Sequence, residues 1–255
     1  MSHWRAIAVA FWAFPIAFAA KAADYSVPSM PTKAADSDWG SVFSGVDIAS
    51  HGWAYGWAGA AFSPFGKMDA SGFRVYANAE GGRYQYPSTS FATGVPITIK
   101  GTEIGGSLLA GYAVVRSNLE LNTYVGLNVQ GQHINASDPE NPVQGTRAGA
   151  EILNELTYNP TKSTLLYGWG SYSTVFQTYY ATLKAGYDIS NGHEVFFGPQ
   201  VTFLGNERFD QWRAGLHLTQ LTVGKVGIEL SGGYVHDSDN GSGVYGLVEI
   251  NFPLR

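Results

Sequence analysis

The chain has 255 residues, 45% hydrophobic, 14% aromatic and only 14% charged, with 32 Gly, no Cys, and 15 Lys+Arg against 20 Asp+Glu. The charged fraction falls well below the roughly 25% of an ordinary soluble domain. The missing thiols exclude disulfide scaffolds, zinc ribbons, iron–sulfur proteins and Cys nucleophiles; the apolar content excludes bulk disorder, and the acidic balance argues against a nucleic-acid partner.

In chain order, Met1–Arg5 carries a positive charge at Arg5, Ala6–Ala20 is apolar, and Ala20-Lys21-Ala22 offers the small residues a signal peptidase reads. The apolar run is shorter than the roughly 20 residues a spanning helix needs. Residues 1–22 are therefore expected to be a secretory signal peptide. Its removal takes away Arg5 and Lys21 and shifts the formal charge from −5 to −7. Residues 23–38, with Pro28, Pro31 and Lys33, show no periodicity and read as a flexible lead-in. From Trp39 onward there is no second composition, so residues 39–255 read as one β-barrel domain.

That domain repeats with a period of two. Alternation and turn residues give strands over 40–50, 53–62, 72–86, 97–115, 119–134, 147–158, 163–172, 176–189, 193–204, 210–219, 225–236 and 243–253. The clearest is the fifth. Leu119, Leu121, Thr123, Val125, Leu127 and Val129 lie on one face, with Glu120, Asn122, Tyr124, Asn128, Gln130 and Gln132 on the other. Arg116-Ser117-Asn118, Asn159–Lys162 and Ser190-Asn191-Gly192 suit tight turns. The connections at 87–96, 135–146 and 237–243 are longer and polar, so short and long connections nearly alternate, as in outer-membrane barrels. Two break the pattern: Ser63–Ser71 is long where a short turn is expected, and Ser50–Gly52 is short where a long one is expected.

A soluble sandwich would turn its polar face outward over an aliphatic core. Here the apolar face carries Trp and Tyr near strand ends, and Trp53, Tyr55, Trp57, Trp212 and Tyr234 are expected in belts at the bilayer edges. With no uniformly apolar segment, only a closed barrel satisfies every backbone group in lipid. The fold class is all-β, an antiparallel transmembrane β-barrel of about 12 strands, placed in the outer membrane against its lipid.

With the apolar positions outward, Arg74, Glu80, Glu120, Asn128, Gln130, Glu151, Lys184, Arg213 and Glu229 face the lumen or its mouth, joined by Asn78, Glu103, Arg147, Glu155, His217 and Glu249. One reading is a paired network that fills a narrow barrel. The other is a polar conduit or ligand-binding surface, whose acid and aromatic content would suit neutral sugars better than anions. No cofactor is called for. His51 and His193 sit beside Gly in turns, no His/carboxylate spacing suggests a metal, and neither a phosphate loop nor a nucleophile elbow occurs. The enzymatic alternative is a lipid or glycan hydrolase built on His236 and Ser238, although Asp237–Gly243 also has the composition of a solvated loop. A structural or adhesive barrel without transport is a further alternative.

Ser44-Gly45-Val46-Asp47-Ile48, Gly52-Trp53-Ala54-Tyr55-Gly56-Trp57-Ala58-Gly59, Pro64-Phe65-Gly66 and Gly72-Phe73-Arg74-Val75-Tyr76 together resemble the cellulose biosynthesis protein BcsS family. Gly81-Gly82-Arg83-Tyr84-Gln85-Tyr86 and Gly105-Gly106-Ser107-Leu108-Leu109-Ala110-Gly111-Tyr112 are similar too. The resemblance covers essentially the whole chain after the signal and carries over no catalytic residue. It implies a non-enzymatic outer-membrane accessory of bacterial cellulose or exopolysaccharide secretion, a conduit or scaffold whose partners are cellulose and other secretion components. The sequence also lacks the 34-residue helical repeats of a large periplasmic scaffold.

Overall fold

The computed structural model describes residues 39–254, so the signal and lead-in segments assigned above lie outside the described residues. Twelve strands follow one another: β1 Gly40–Ala49, β2 Trp53–Phe62, β3 Gly72–Thr89, β4 Pro96–Arg116, β5 Leu119–Ile134, β6 Gly145–Thr161, β7 Thr164–Ser173, β8 Tyr179–Asp188, β9 Phe196–Gly205, β10 Asp210–Val223, β11 Val226–Asp237 and β12 Gly241–Leu254. Each pairs antiparallel with its sequence neighbours, and β12 closes on β1 from Gly40↔Leu254 to Ala49↔Tyr245. Closure leaves no free edge, so every strand has a partner on both sides.

Strand alternation sorts the side chains. Val46, Ile48, Leu108, Val125, Leu127, Phe203 and Val244 point outward and stay exposed, Leu127 to 69%. So large a continuous apolar surface belongs against another apolar phase, and its all-round distribution fits a lipid belt. The opposite positions turn into the bore, where Arg74, Arg213, His217, Lys184 and Glu249 are buried.

The expected aromatic belt is corrected in β2. Trp212 and Tyr234 do face outward, but Trp53, Tyr55 and Trp57 are buried inside. Register decides this. Directly opposed residues share a face, and Tyr55 stands opposite Asp47 of β1, a charge that must point inward. The lipid face of β2 is left to Ala54, Gly56, Ala58 and Ala60.

The wall is uneven in height. Beyond the last β2–β3 pair, Ala54↔Arg83, the β3–β4 ribbon continues to Thr89↔Pro96, about 20 Å further along the strand. β3 and β6 also outrun their apolar periodicity. Above the lipid belt both faces of a strand meet water, so pairing continues after alternation ends. At the end carrying Gly40 and Leu254, Ser63–Ser71 forms a long β2–β3 connection, and Ile189–Val195 joins β8 to β9 by more than the tight turn expected at Ser190-Asn191-Gly192. At the far end a 3-10 turn, Ser50–Gly52, joins β1 to β2 through His51 at φ 65° and Gly52 at φ 84°.

Two bulges re-aim the ladder. Thr219 and Gln220 of β10 together oppose Glu229, with Gln220 at φ 62°. Asn159 and Pro160 of β6 oppose Leu165, which places the proline where a ladder donor is not needed.

Candidate functional site

The bore is filled by side chains from strands that are not neighbours. Asp47 of β1 accepts from Arg213 of β10 at 2.8 Å and from Trp53 Nε1 at 2.9 Å. Arg213 also donates from Nε to Gln211 Oε1 at 2.6 Å, and its guanidinium lies 4.9 Å from the Tyr245 ring centroid. Deeper down, Lys184 of β8 donates to Glu229 of β11 and faces the Tyr167 ring at 5.3 Å. Trp57 Nε1 donates to Glu249 Oε2 at 3.1 Å, and Ser231 Oγ to Gln200 Oε1 at 2.9 Å.

Across the bore, Asn122 Nδ2 bridges Glu120 Oε1 at 3.0 Å and Glu155 Oε2 at 3.1 Å, while Tyr167 donates to Glu155 Oε1 at 3.0 Å. Above them, Ser107 donates to Glu151, Asn128 Nδ2 to Ser107 Oγ at 3.0 Å, and Ser173 Oγ to Asn128 Oδ1 at 2.8 Å. Gln130 Nε2 reaches Thr178 Oγ1 at 3.4 Å, and Asn78 Nδ2 donates to Glu80 Oε2 at 2.8 Å. Buried charge in a low dielectric persists when each ion has partners, and these groups supply partners to one another. Aromatic rings occupy the space between them: Phe43 stacks on Tyr76 at 5.6 Å, Tyr76 meets Tyr124 at 5.7 Å, and Trp169 meets Tyr180 edge-on at 5.5 Å.

Arg74 has a different task. Its guanidinium donates to Ser63 Oγ at 3.0 Å, Met68 O at 3.0 Å and Ala70 O at 2.6 Å, which ties the β2–β3 connection against the barrel end.

At the far end a small, narrow cleft opens between the β1–β2 turn, the β9–β10 and β11–β12 connections and the tall β3 strand. Trp53, Tyr84 and Phe209 supply ring surface there; Gln211, Asp237 and Asn240 supply polar groups. Trp53 and Phe209 stack 6.2 Å apart at 6°. Arg208 pairs with Asp239 at 2.8 Å and covers the Tyr86 ring at 3.8 Å, lacing two connections to the tall β3 strand. Burial pushes the Asp239 carboxyl above the ordinary aspartate range, against the pull of Arg208.

The His236/Ser238 pair is not assembled. His236 Nδ1 lies 3.3 Å from Ser242 Oγ, which is 2.6 Å from the Tyr234 hydroxyl. Ser238 Oγ instead accepts from Asp210 N at 3.2 Å. Among the described residues, no group of three His, Cys, Asp or Glu is placed to hold a metal ion.

A family model described as cellulose biosynthesis protein BcsS matches residues 41–254. The chain belongs to the BcsS family. No curated protein matches it. Among solved structures, the BcsS-family barrel is similar to the TodX deltaS2S3 mutant monoaromatic hydrocarbon channel, with a TM-score of 0.55 and 9% identity over 88% of this chain and 92% of that one. It is also similar to the KdgM porin, with a TM-score of 0.46 and 8% identity over 84% and 99%. For the transport unit of the autotransporter AIDA-I from Escherichia coli the values are 0.45 and 8%, over 88% and 93%. At these identities the likeness to TodX shows the fold alone.

In this BcsS-family barrel, Glu80, Asn128, Gln130, Glu151, Lys184, Arg213 and Glu229 sit buried in the bore, Glu120 is half-buried beside Asn122, and Arg74 lies at the terminal end. Arg147 stands at the other end and pairs with Glu207 at 3.0 Å. Sequence reasoning missed the cleft. Its residues come from four separate stretches, and only a closed barrel brings them together.

Proposed function

We propose that the protein is a non-enzymatic outer-membrane accessory of bacterial cellulose biosynthesis and secretion, and that it acts as a scaffold with a closed bore. It is exported by residues 1–22, embedded in outer-membrane lipid by its apolar belt, and works with the glucan and other secretion components. The tight Ser117–Asn118, Lys162–Ser163 and Gly224–Lys225 turns lie at the terminal end, which this reading places in the periplasm. The mouth cleft then faces outward.

One observation carries the choice of scaffold over conduit: Trp57, Tyr76, Tyr124, Tyr167 and Trp169 are buried inside the bore among paired charges. A polymer path would need these rings to move and the Lys184–Glu229 and Asp47–Arg213 pairs to part together. The non-enzymatic reading is supported by His236, which neighbours Ser242 rather than Ser238.

The test is a deletion strain assayed for cellulose retained at the cell surface and released into the medium. Altered amount or placement, restored by the full chain and by the chain carrying Ser238→Ala, supports the proposal. Normal cellulose in the deletion strain overturns it, and loss of complementation by Ser238→Ala or His236→Ala favours a hydrolase.

A further inference from the structure

We infer that the outward face of β3, β4 and β5 at the mouth binds the phosphorylated headgroup of an outer-leaflet lipid. Arg83, Lys100 and His133 hold the headgroup, above a seat for acyl chains around Ile104. The inference rests on the outer-membrane placement proposed above, with the mouth outward, and is independent of the cellulose role.

Strand parity puts these side chains on the lipid side. Along β4, Ile99 and Glu103 are buried, which turns Lys100, Thr102 and Ile104 outward. Register carries that face to the neighbouring strands, because directly opposed residues share it. Thr102 stands opposite Arg83 of β3 and His133 of β5, and Lys100 stands opposite Gln85 one step higher. Arg83, Lys100 and His133 are all exposed. Strand spacing sets the backbones of Arg83 and His133 about 10 Å apart, with Lys100 about 7 Å beyond Thr102. Long side chains at these positions can converge on one headgroup.

The patch is of one sign. Among the described residues, the outward positions of these three strands beyond Ile104 hold no carboxylate. Two further arginines at this end are already paired, Arg147 with Glu207 at 3.0 Å and Arg208 with Asp239 at 2.8 Å. On the opposite side of the barrel, Asp210, on the outward parity of β10, accepts from the Tyr179 hydroxyl at 2.8 Å. The cationic face is therefore local and does not run around the rim. A guanidinium offers phosphate oxygens a planar pair of charge-assisted hydrogen bonds, and an ammonium adds a point charge.

The row beneath is apolar and grooved, and it favours a lipid over a free anion. Ile104, 72% exposed, has Gly81 of β3 and Gly131 of β5 at its own height on either side. With no side chain on either glycine, Ile104 stands as a ridge between two shallow channels. Gly106 continues the low floor beneath it as far as Leu108, which is exposed in the lipid belt. A soluble anion could use the upper row alone, whereas a lipid uses both.

The test is native mass spectrometry of the full chain, folded in detergent and titrated with diphosphoryl lipid A or with the same lipid stripped of phosphate. Arg83→Gln/Lys100→Gln removes two charges, and Thr102→Glu sets a carboxylate at the centre of the patch. Arg116→Gln/Lys162→Gln makes the same change of charge at the terminal end. Each variant is first checked for heat-modifiable gel migration. A basic residue at an anionic membrane surface strengthens association about fivefold. Arg83→Gln/Lys100→Gln should therefore bind diphosphoryl lipid A about 25-fold more weakly, and Thr102→Glu should weaken it as well. The terminal-end variant and the wild type should bind it alike. Equal wild-type affinity for the two lipids, unchanged affinity in either patch variant, or an equal loss in the terminal-end variant overturns the inference. Displacement of the lipid by equimolar inorganic phosphate also overturns it, in favour of a free-anion site. The readings above fail by other measurements: a chain that fractionates away from the outer membrane overturns the placement, and normal cellulose in the deletion strain overturns the cellulose role.

Discussion

Asp47 and Arg213 meet inside the barrel at 2.8 Å, although β1 and β10 are not neighbours in the sheet. The contact crosses the bore, and Trp53 Nε1 donates to the same carboxylate oxygen. Neither ion can turn to water, because both side chains are buried. Breaking such a pair on one side leaves a buried charge alone, at about 3–5 kcal/mol. Asp47→Asn and Arg213→Gln are each expected to lower unfolding stability in detergent by that order. The double variant is expected to lose less than the sum, with a coupling of about 1 kcal/mol or more. Strict additivity in a urea double-mutant cycle would show that the pair does not couple.

The outer and inner faces of β5 differ by one residue and should differ sharply in tolerance. Leu127 is exposed in the apolar belt, whereas Asn128 is buried and accepts from Ser173 Oγ at 2.8 Å. Leu127→Arg places a charge in hydrocarbon and should cost about 2–4 kcal/mol near the midplane. In a soluble protein the same exposed change would be close to neutral. Assembly into lipid vesicles, followed by unfolding titration, separates the two. A neutral Leu127→Arg would contradict the lipid-facing assignment.

β5 was legible in the sequence because lipid and bore impose opposite demands on alternate positions. Leu121, Val125 and Leu127 against Asn122, Asn128 and Gln130 leave one way to place the strand. β2 was not legible, since Trp53, Tyr55 and Trp57 alternate with Ala54, Gly56 and Ala58 and both sets are tolerable in lipid. Only its pairing with Asp47 settles the face. The bore residues followed from the same parity, but their partners did not. Lys184 and Glu229 lie on non-adjacent strands, and the Thr219–Gln220 bulge beside Glu229 has no sequence mark comparable to a glycine or proline. The cleft is a consequence of closure, which brings β2 and β3 beside residues that follow Gly205.

A filled bore predicts an electrically quiet protein. Reconstituted in planar bilayers, the wild-type chain should show no steady porin-like conductance. Trp57→Gly combined with Tyr167→Gly removes two rings and the donors to Glu249 and Glu155. Side chains of this size define the width of a narrow barrel, so the double variant should conduct measurably in the same assay. A large steady wild-type conductance would return the protein to the conduit reading.

Arg74 should act as a local clamp with little effect on the barrel itself. Its donors reach Ser63, Met68 and Ala70, all within one connection that also contains Lys67. Hydrogen bonds from a charged donor contribute about 1.5–3 kcal/mol each, so Arg74→Ala should raise the open population of this segment at least about tenfold. Trypsin cleavage after Lys67, followed by mass spectrometry, should accelerate by that order while heat-modifiable migration stays the same. Lysine at position 74 cannot present a planar fork to three acceptors, and Arg74→Lys should behave more like Ala than like Arg. Unchanged cleavage in Arg74→Ala would show that the strands alone hold the connection.

The mouth carries a pH dependence whose sign is fixed by burial. Asp239 lies in the β11–β12 connection; burial and the neighbouring Asp237 and Asp138 raise its pKa, and Arg208 opposes them. A carboxyl-carbon NMR titration should place Asp239 above an ordinary aspartate, about 3.9, and Arg208→Gln should move it further up. Two consequences run in opposite directions. The folded chain binds this proton more readily than the unfolded chain, so this group favours the folded state as pH falls through the window from its raised value down to the ordinary one. The ion pair to Arg208 needs the ionised carboxylate, so the lacing across the mouth loosens as pH falls through the raised value. Lower hydrogen-exchange protection at residues 238–240 and 206–209 on acidification, after correction for the slower intrinsic exchange at lower pH and without loss of the barrel, is the expected signature. An Asp239 that titrates at or below the ordinary value, or that moves down in Arg208→Gln, would show that the carboxylate is held by partners rather than penalised by burial.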